Sequence, residues 1–422
     1  MHLKSSVLSI APEVDTFLGC GPAETVPGDP GAALEANLLL LKSGYSQILI
    51  ISLDALYPGA RLRSDIIEGL KGIVNDESLF LSSSHTHNAP MLDESKPFLG
   101  SVVESHYLMV ARKIIVASKK LLTEGPWAPV DLKHVSYQLN GVASRRRQAP
   151  RVLRALNIFS EDAMMLPNPT EVSSTTAEVL LFSENDKILA TLLVGACHPV
   201  TTMESSALSA DYVGAIREFC REKIAHHDSM TFVFLQGASG EVRPNVVSKG
   251  PSTLKPRDIL FSALIGQTFG KFDSNSLEGW LVRRCNEFQD AVAQAVPCAD
   301  TNFSIARVVF PLEEFFEYSG PQKRFVSVHA VRLGALTLLG ISAEPTWEFA
   351  RALDDHNFSG ARLSIVGCID DTWGYLASRN QCKLGGYEVG GYLKFFSLAK
   401  NRTSSNTSTK IEAACRALLS EL

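Results

Sequence analysis

The sequence has no long apolar run and no excess of positive charge. Its 422 residues include 40 basic and 45 acidic side chains, a formal net charge of −5 at pH 7, whereas a nucleic-acid binder needs a basic surface to displace counterions from phosphate. The longest apolar runs, around Leu38–Leu41 and Ile48–Leu53, are much shorter than the roughly 20 residues that span a bilayer. We therefore expect neither a nucleic-acid partner nor an integral membrane association.

Close cysteine pairs are also missing. The eight cysteines are scattered, and no two of them have the C-x-x-C spacing of a cysteine zinc site or a redox dithiol. The first residues, Met1–Ser6, contain neither a long apolar segment nor a cleavage site, which argues against a signal peptide. We therefore predict a cytoplasmic protein whose thiols are reduced.

The common catalytic signatures are absent too. The sequence contains no H-E-x-x-H, no P-loop and no G-x-G-x-x-G motif. Gly237–Gly240 resembles a nucleophile elbow but breaks the G-x-S-x-G spacing. Cys197 and His198 are adjacent, so in an extended segment their side chains point to opposite faces and do not form a catalytic dyad.

The sequence does contain apolar strands that alternate with amphipathic helices. The predicted strands, rich in Val, Ile, Leu and Phe, are Gln47–Leu53, Leu79–Leu81, Leu132–Leu139, Ala177–Phe182, Leu189–Ala196, Thr231–Leu235, Phe303–Phe310, Ser327–Leu333, Leu336–Ile341 and Ser364–Cys368. The predicted helices are Leu62–Val74, Val103–Leu122, Tyr212–Ala225, Leu281–Ala295, Trp347–His356 and Thr409–Leu419. This pattern predicts an α/β fold, an α+β layered sandwich of mixed sheets with helices outside.

Three stretches are predicted to be excursions from the core. They are Ser144–Pro169, which is basic and then rich in Pro and Met, Lys249–Ser276 and Gly320–Arg324. None is long or biased enough to indicate an interdomain linker, and the sequence has no internal repeat. We therefore expect one domain over residues 1–422 rather than two.

Polar residues follow four of the predicted strands directly. They include the pair His85 and His87, then His198, Glu344 and Tyr375. In open α/β sheets ligands bind beyond the carboxyl ends of strands, so these side chains meet if the strands are parallel neighbours. Imidazole nitrogens together with oxygen ligands suit zinc. The pattern predicts a zinc site at the carboxyl ends of the strands.

Each of these residues also has a purely structural explanation. His198 fits a hydrogen-bonded core histidine, and Tyr375 fits a packing residue in its Trp-Gly-Tyr turn. Glu344 fits a cap for the helix that begins near Trp347, where its charge meets the helix dipole. The basic run that starts with Arg145 fits a solvated loop, or a source of one guanidinium group for an anionic substrate.

Five motifs, in this order, resemble the neutral/alkaline ceramidase family over most of the chain, from Ser9 to Tyr392. The motifs are Ser84–Pro90 (Ser-His-Thr-His-Asn-Ala-Pro), Cys197–Val200 with Leu208–Tyr212, the glycine-rich Phe234–Asn245, Glu344 in Ser-Ala-Glu-Pro, and Tyr375 in Trp-Gly-Tyr-Leu. The resemblance implies the catalytic domain of that family. It also implies hydrolysis of an amide bond with the help of zinc.

The resemblance implies specific site residues. One catalytic Zn²⁺ ion is expected on His85, His198, Glu344 and Tyr375. His87 and Tyr387 are expected to face the substrate carbonyl. Arg145 matches the active-site arginine of the family, with its neighbour Arg146 as the alternative.

The sequence departs from the family at two points. Arg243 occupies the position where the ceramide hydrolases carry a serine, and the chain stops soon after the tyrosine motif, without their C-terminal immunoglobulin-like domain. We therefore expect a smaller, polar or anionic N-acyl substrate, with Arg243 or Arg146 as its counter-charge.

The function expected from these features is that of a zinc-dependent amidohydrolase acting on a linear, non-peptide amide of a small molecule. Two alternatives keep the same scaffold. One is an ester or lactone hydrolase or an acyl-transfer enzyme, and the other is a zinc-binding protein without catalysis.

Overall fold

The computed structural model of the protein describes residues 1–148, 163–168, 170–202, 204, 206–227, 229–246, 273–316, 323–354, 361–396 and 404–422. Its strands are β1 (His2–Ser9), β2 (Glu35–Ser43), β3 (Ser46–Leu53), β4 (Leu79–Ser83), β5 (Ala128–Pro129), β6 (Asp131–Asn140), β7 (Val142–Gln148), β8 (Ala163–Asn168), β9 (Ser174–Glu184), β10 (Lys187–Gly195), β11 (Thr231–Gln236), β12 (Val242–Pro244), β13 (Val296–Pro297), β14 (Phe303–Pro311), β15 (Phe325–Leu333), β16 (Leu336–Ile341), β17 (Glu344–Pro345), β18 (Arg362–Val366) and β19 (Tyr375–Leu376).

The α-helices are α1 (Ala60–Gly69), α2 (Glu104–Thr123), α3 (Asp211–Phe219), α4 (Ser274–Ala293), α5 (Trp347–Asp354), α6 (Arg379–Leu384) and α7 (Ser405–Leu419). Two π-helical turns, Cys220–Ala225 and Tyr387–Gly391, and three 3₁₀ turns, Asp76–Ser78, Leu312–Glu314 and Leu393–Phe395, complete the helical structure of the described residues. Within the described ranges, no helix is long and apolar enough to cross a bilayer.

The strands form mixed sheets. The first has the order β4-β3-β2-β1-β5, the second β11-β10-β9-β6-β13 and the third β14-β15-β16-β18. Two smaller sheets, β12-β7-β8 and β17-β19, lie beside them. Four pairs are parallel, namely β3 with β4, β10 with β11, β16 with β18 and β17 with β19, whereas the other pairs are antiparallel.

The continuous apolar runs form strands that are buried on both faces. In β2, Leu39 and Leu41 point into a core that the first sheet shares with the second and third sheets. Leu38 and Leu40 point the other way, into a core shared with α1 and α2. All four are fully buried, and burying a leucine contributes about 1.5–3 kcal/mol. A strand covered on both faces needs apolar residues without alternation.

Helices cover the outer faces of all three large sheets. Helices α1 and α2 pack on the first sheet, α3 and α4 on the second, and α5 and α7 on the third. The predicted α/β class with mixed sheets and external helices is therefore confirmed.

The edges of the three large sheets meet at one place. Strands β4, β11 and β18 are edge strands, and the isolated bridges Ser82–Ile369 and Gly237–Val366 link them. The amide of Gly367 also donates to the Gln236 carbonyl at 2.8 Å. The strand ends predicted to bear polar residues therefore converge across three sheets. Only β16 and β18 are the parallel neighbours that the sequence suggested.

The predicted excursion Ser144–Pro169 is wrong at both ends, because its last described residues form the strand β8. Its first residues belong to the strand β7, and Arg145 and Arg146 in that strand are buried. The basic side chains hid the strand from the sequence pattern because buried arginines are rare without a paired carboxylate. Residues 149–162, 169, 249–272 and 320–322 of the three predicted excursions lie outside the described residues.

Candidate metal centre

Three histidines meet where the sheet edges converge. His85 follows β4 and His198 follows β10, and together with His87 they bring one ring nitrogen each to within 4.8 Å of one another. His85 has a φ of +65°, so the chain turns there instead of continuing the extended strand β4. His85 and His87 lie in the same site because this turn brings their rings together.

Hydrogen bonds fix how two of these rings present their nitrogens. The Nδ1 atom of His85 lies 3.1 Å from the Leu56 carbonyl, and that of His198 lies 2.7 Å from the Ser239 carbonyl. Because a carbonyl oxygen only accepts, Nδ1 bears the proton in both rings. In its neutral form each ring therefore offers the lone pair of Nε2 to the interior of the site.

Glu344 faces both lone pairs. Its Oε2 atom lies 3.2 Å from Nε2 of His85 and 3.3 Å from Nε2 of His198. The three residues are only 0–3% exposed, yet within the described structure none of these three atoms has a hydrogen-bond partner. Buried polar atoms that converge without hydrogen-bond partners call for a bound group between them, and a cation fits the two nitrogens and the carboxylate oxygen.

The electrostatics of the site also favour a positive charge. Burial opposes charge on His85, but the Cys368 thiol and the Glu344 carboxylate outweigh it and raise the pKa of His85 well above its usual range. Burial, in contrast, lowers the pKa of His198 to about 3. Two imidazole rings, which bind metals in their neutral form, and one carboxylate are a set of ligands that fits a zinc ion.

Glu344 does not cap the helix that follows it. Glu241 does so instead, because its carboxylate accepts from the backbone amides of Trp347 at 2.7 Å and Glu348 at 3.2 Å. Glu344 is left to face the histidines, and the Tyr57 hydroxyl donates to its other oxygen, Oε1. The helix-cap explanation of Glu344 is thereby removed.

Tyr375 lies directly beside Glu344. The two residues are register partners in the β17–β19 pair. Burial and the Glu344 carboxylate raise the pKa of Tyr375 well above its usual range. Gly374 permits this arrangement, because at its φ of +151° an added Cβ would lie 2.3 Å from the Tyr392 ring.

The two neighbouring arginines have different environments. The Arg145 guanidinium lies 5.3 Å from the centroid of Tyr375 and 4.9 Å from that of Tyr387, and its Nε donates to Glu388 at 2.6 Å. Arg146 instead donates to Glu388 at 2.5 Å and to the Gly385 carbonyl at 2.6 Å. Arg146 thus anchors the segment before Tyr387, whereas Arg145 faces the tyrosine rings.

His87 and Arg243 border the site on its more accessible side, since both are only partly buried. Burial and the neighbouring His85 and His198 hold the pKa of His87 well below its usual range, so His87 is neutral at pH 7. Burial and Arg145 lower the pKa of Arg243 to about 10, so Arg243 stays charged.

Sequence reasoning missed several residues that hold the site together. Tyr57 gave no signal in the sequence, and Glu241 was not singled out within the glycine-rich motif that contains it. Asp211 did belong to a recognised motif, and its buried carboxylate accepts from the backbone amides and hydroxyls of Thr201 and Thr202 at 2.7–2.9 Å. It therefore holds the loop that follows His198.

Comparison with known proteins was informative only at the level of structure. No protein-family model and no curated protein sequence matches the chain. Solved structures do match, among them the neutral ceramidase from Pseudomonas aeruginosa, with a TM-score of 0.69 and 13% identity, and a ceramidase complexed with C2, with a TM-score of 0.68 and 14% identity. Each alignment covers 99% of this chain and 74% of the other. The chain therefore has the fold of neutral ceramidase.

Proposed function

We propose that the protein is a zinc-dependent amidohydrolase that cleaves an amide bond of a small polar molecule. The observation that supports this most directly is the convergence of three buried atoms without hydrogen-bond partners in the described structure: Nε2 of His85, Nε2 of His198 and Oε2 of Glu344. The fold shared with neutral ceramidase supports the same reaction class.

The proposed zinc ligands are His85, His198, Glu344 and Tyr375. The three histidines alone are an alternative set, because their ring nitrogens are also close enough for one ion. We favour Glu344 over His87, because Glu344 is buried against the two fixed imidazoles whereas His87 is partly accessible. His87 is then free to act on the substrate.

The residues around the ligands suit amide hydrolysis. When bound, a zinc ion lowers the pKa of a water molecule towards about 7 and polarises a carbonyl group. Neutral His87 accepts the proton of the attacking water and passes it to the leaving amine. Tyr387 donates a hydrogen bond to the developing oxyanion, an interaction that typically contributes about 2.7–4 kcal/mol. Arg145 holds the tyrosine rings and orients the substrate.

Metal analysis combined with kinetics tests the proposal. Protein purified without chelator should contain one zinc ion per chain, and His85→Ala or His198→Ala should remove it. His87→Ala and Tyr387→Phe should keep the zinc but lower kcat on amide substrates by roughly 10²–10³-fold. Absence of stoichiometric zinc, or retention of zinc in both histidine variants, would refute the metal centre.

A matched substrate pair tests the bond that is cleaved. An amide and an ester of the same acyl group should be compared on the same preparation, with the zinc-free protein as the blank. Faster zinc-dependent turnover of the amide supports the amidohydrolase. Turnover of the ester alone would replace it with an esterase, and no turnover of either in a zinc-loaded protein would indicate a binding function.

We also propose that residues 1–422 form one catalytic domain and that the protein works in the cytoplasm. The proposed ligands extend from His85 to Tyr375, so a boundary in the middle of the chain would divide the site. All eight cysteines are free thiols, which suits a reducing compartment.

A further inference from the structure

The strand β1 is covered along only part of its outer edge. It pairs with β2 over its whole length, from His2 to Ser9, whereas β5 pairs with His2 and Leu3 alone. Among the described residues, no strand lies beside the remaining edge, Lys4–Ser9. This open edge is about 20 Å long at roughly 3.3 Å per residue.

The backbone groups on the open edge belong to the odd-numbered residues of β1. The amide of Val130 donates to the Met1 carbonyl at 3.0 Å, so the carbonyl of Met1 faces the side of β5. Because the backbone groups of alternate residues point to the same edge, the N–H and C=O groups of Ser5 and Val7 face that side too. They pair with no group of the described residues. An edge of this kind is a template for an extended segment of another chain.

A groove of about 1300 Å³ runs along this edge. Its lining includes Lys4 and Ser5, neighbours on opposite faces of β1, so the groove follows the edge of the strand and not one face of the sheet. Helix α2 forms one wall, where the side chains of Leu108 and Val116 are 52% and 58% exposed. The other wall includes the start of β10. An extended peptide in the groove would therefore be flanked on both of its faces.

Lys4 does not protect the open edge. A lysine on an edge strand commonly prevents pairing with another chain. The Nζ atom of Lys4, however, donates to the carbonyls of Leu121 at 3.0 Å and Glu124 at 2.7 Å, near the C-terminal end of α2. The rest of the open edge, Ser5–Ser9, contains no charged residue and no proline. The sequence of β1 is therefore compatible with the addition of a strand.

The groove is basic. Its lining contains one carboxylate, that of Glu124, and five lysine and arginine side chains, namely Lys4, Arg112, Lys113, Lys120 and Lys187. In the part of the chain that the structure describes, none of these five forms a salt bridge, and Lys4 and Lys113 donate to backbone carbonyls instead. The groove therefore favours a segment that carries carboxylates.

A second copy of the chain fits this groove poorly. Its own β1 strand carries Lys4 and no carboxylate, and pairing of the two open edges would set two basic grooves against each other. Like charges that face each other across paired strands are destabilising. The charge of the groove thus selects a different, acidic partner.

We propose that the open edge of β1 binds an extended acidic segment of a partner protein, which adds to the first sheet as a further strand. The backbone of this segment pairs with the N–H and C=O groups of Ser5 and Val7, and its carboxylates face basic side chains such as Arg112 and Lys120. The candidate metal centre lies at the other end of the same sheet, beside β4. Binding of the segment therefore requires neither zinc nor the proposed hydrolysis.

Fluorescence anisotropy with labelled, end-blocked peptides tests the proposal on the full-length protein. A peptide in which glutamate alternates with valine over the length of the open edge should bind, and its glutamine counterpart should bind on the order of tenfold more weakly. Val7→Pro removes the outward N–H but none of the hydrogen bonds to β2, so it should weaken binding of the glutamate peptide on the order of tenfold.

A second variant tests the charges without changing the strand. Arg112→Glu combined with Lys120→Glu, both at exposed positions, should abolish the preference for the glutamate peptide. Lys71→Glu combined with Arg283→Glu makes the same change in net charge at exposed positions outside the groove and should keep the wild-type affinity. All variants should match the wild-type protein in zinc content.

Three outcomes would overturn the proposal. One is equal affinity of the wild-type protein for the two peptides, and another is an unchanged affinity in both Val7→Pro and the charge variant of the groove. The third is binding to vesicles of phosphatidylcholine and phosphatidylserine without binding to the glutamate peptide, which would assign the groove to a membrane surface instead.

Discussion

At the scale of single residues, hydrogen bonds to the backbone decide what the histidines can do. The carbonyls of Leu56 and Ser239 hold the Nδ1 protons of His85 and His198. The tyrosine hydroxyl of Tyr57 has a similar role for Glu344, because it occupies Oε1 and leaves Oε2 to the site. Partners of this kind orient metal ligands and set their basicity.

The role of Tyr57 leads to a prediction about metal affinity. Tyr57→Phe removes the donor to Oε1 of Glu344 but keeps the ring that packs 5.2 Å from His85. We expect the zinc affinity to fall roughly 10- to 100-fold, as for other lost partners of metal ligands. Competition with a chromogenic chelator measures it. Tyr45→Phe, at a fully exposed position, is the control, and a change of less than about twofold in Tyr57→Phe would contradict this role.

At the scale of elements, Glu241 connects the glycine-rich segment to the helix after Glu344. Its carboxylate caps the start of α5 and accepts a hydrogen bond from the side chain of Gln381, a residue of α6. Because Glu344 lies three residues before α5, this cap fixes the loop on which Glu344 sits. Burial raises the pKa of Glu241 to about 7, although the amide donors oppose this shift.

The pKa of Glu241 predicts a pH dependence of stability. In the unfolded chain a glutamate loses its proton near pH 4.3, whereas folded Glu241 keeps it until about pH 7. The folded state therefore binds more protons between these values, and its stability falls as pH rises through that window. At about 1.4 kcal/mol per pKa unit, this contribution is at most about 4 kcal/mol.

Urea unfolding between pH 4.5 and pH 8 measures this contribution. Glu241→Gln cannot titrate, so its free energy of unfolding should fall less steeply with pH than that of the wild-type protein. Glu68→Gln, at an exposed position of α1, should keep the wild-type profile. Parallel profiles for the wild-type protein and Glu241→Gln would show that Glu241 does not titrate in this window.

At the scale of the whole molecule, the candidate ligands come from segments that follow strands of all three large sheets. His85 follows the first sheet, His198 the second and Glu344 the third. An ion bound by these three residues would join the sheets at their shared edge. Metal binding should therefore stabilise the entire fold, because the unfolded chain has no such assembled site.

Removal of the metal should lower the melting temperature by several degrees. Free zinc at a thousand times its Kd contributes about 4 kcal/mol, and calorimetric scans with and without chelator compare the two states. His85→Ala and His198→Ala should lose the zinc-dependent shift, whereas His226→Ala, at an exposed position, should keep it. A shift of equal size in all three variants would place the stabilising ion elsewhere.

Much of the architecture could be predicted from local patterns. The buried strands β3, β10 and β16 and the helix α2 follow their apolar periodicity closely. Strand β7 was missed, because its buried arginines resemble a solvated loop until Glu388 is placed beside them. The order of the motifs pointed to His85, His198 and Glu344, but no local pattern distinguished Glu344 as a ligand candidate from Glu344 as a helix cap.

By itself the sequence determined which segments are strands and helices and which polar residues follow them, because burial periodicity and strand ends are local properties of the chain. Only the tertiary structure decided that three sheet edges meet, that Glu241 rather than Glu344 caps α5, and that Arg145 and Arg243 share a face. These outcomes depend on contacts between residues about a hundred or more positions apart. Such contacts depend on how the sheets pack, which no local periodicity encodes.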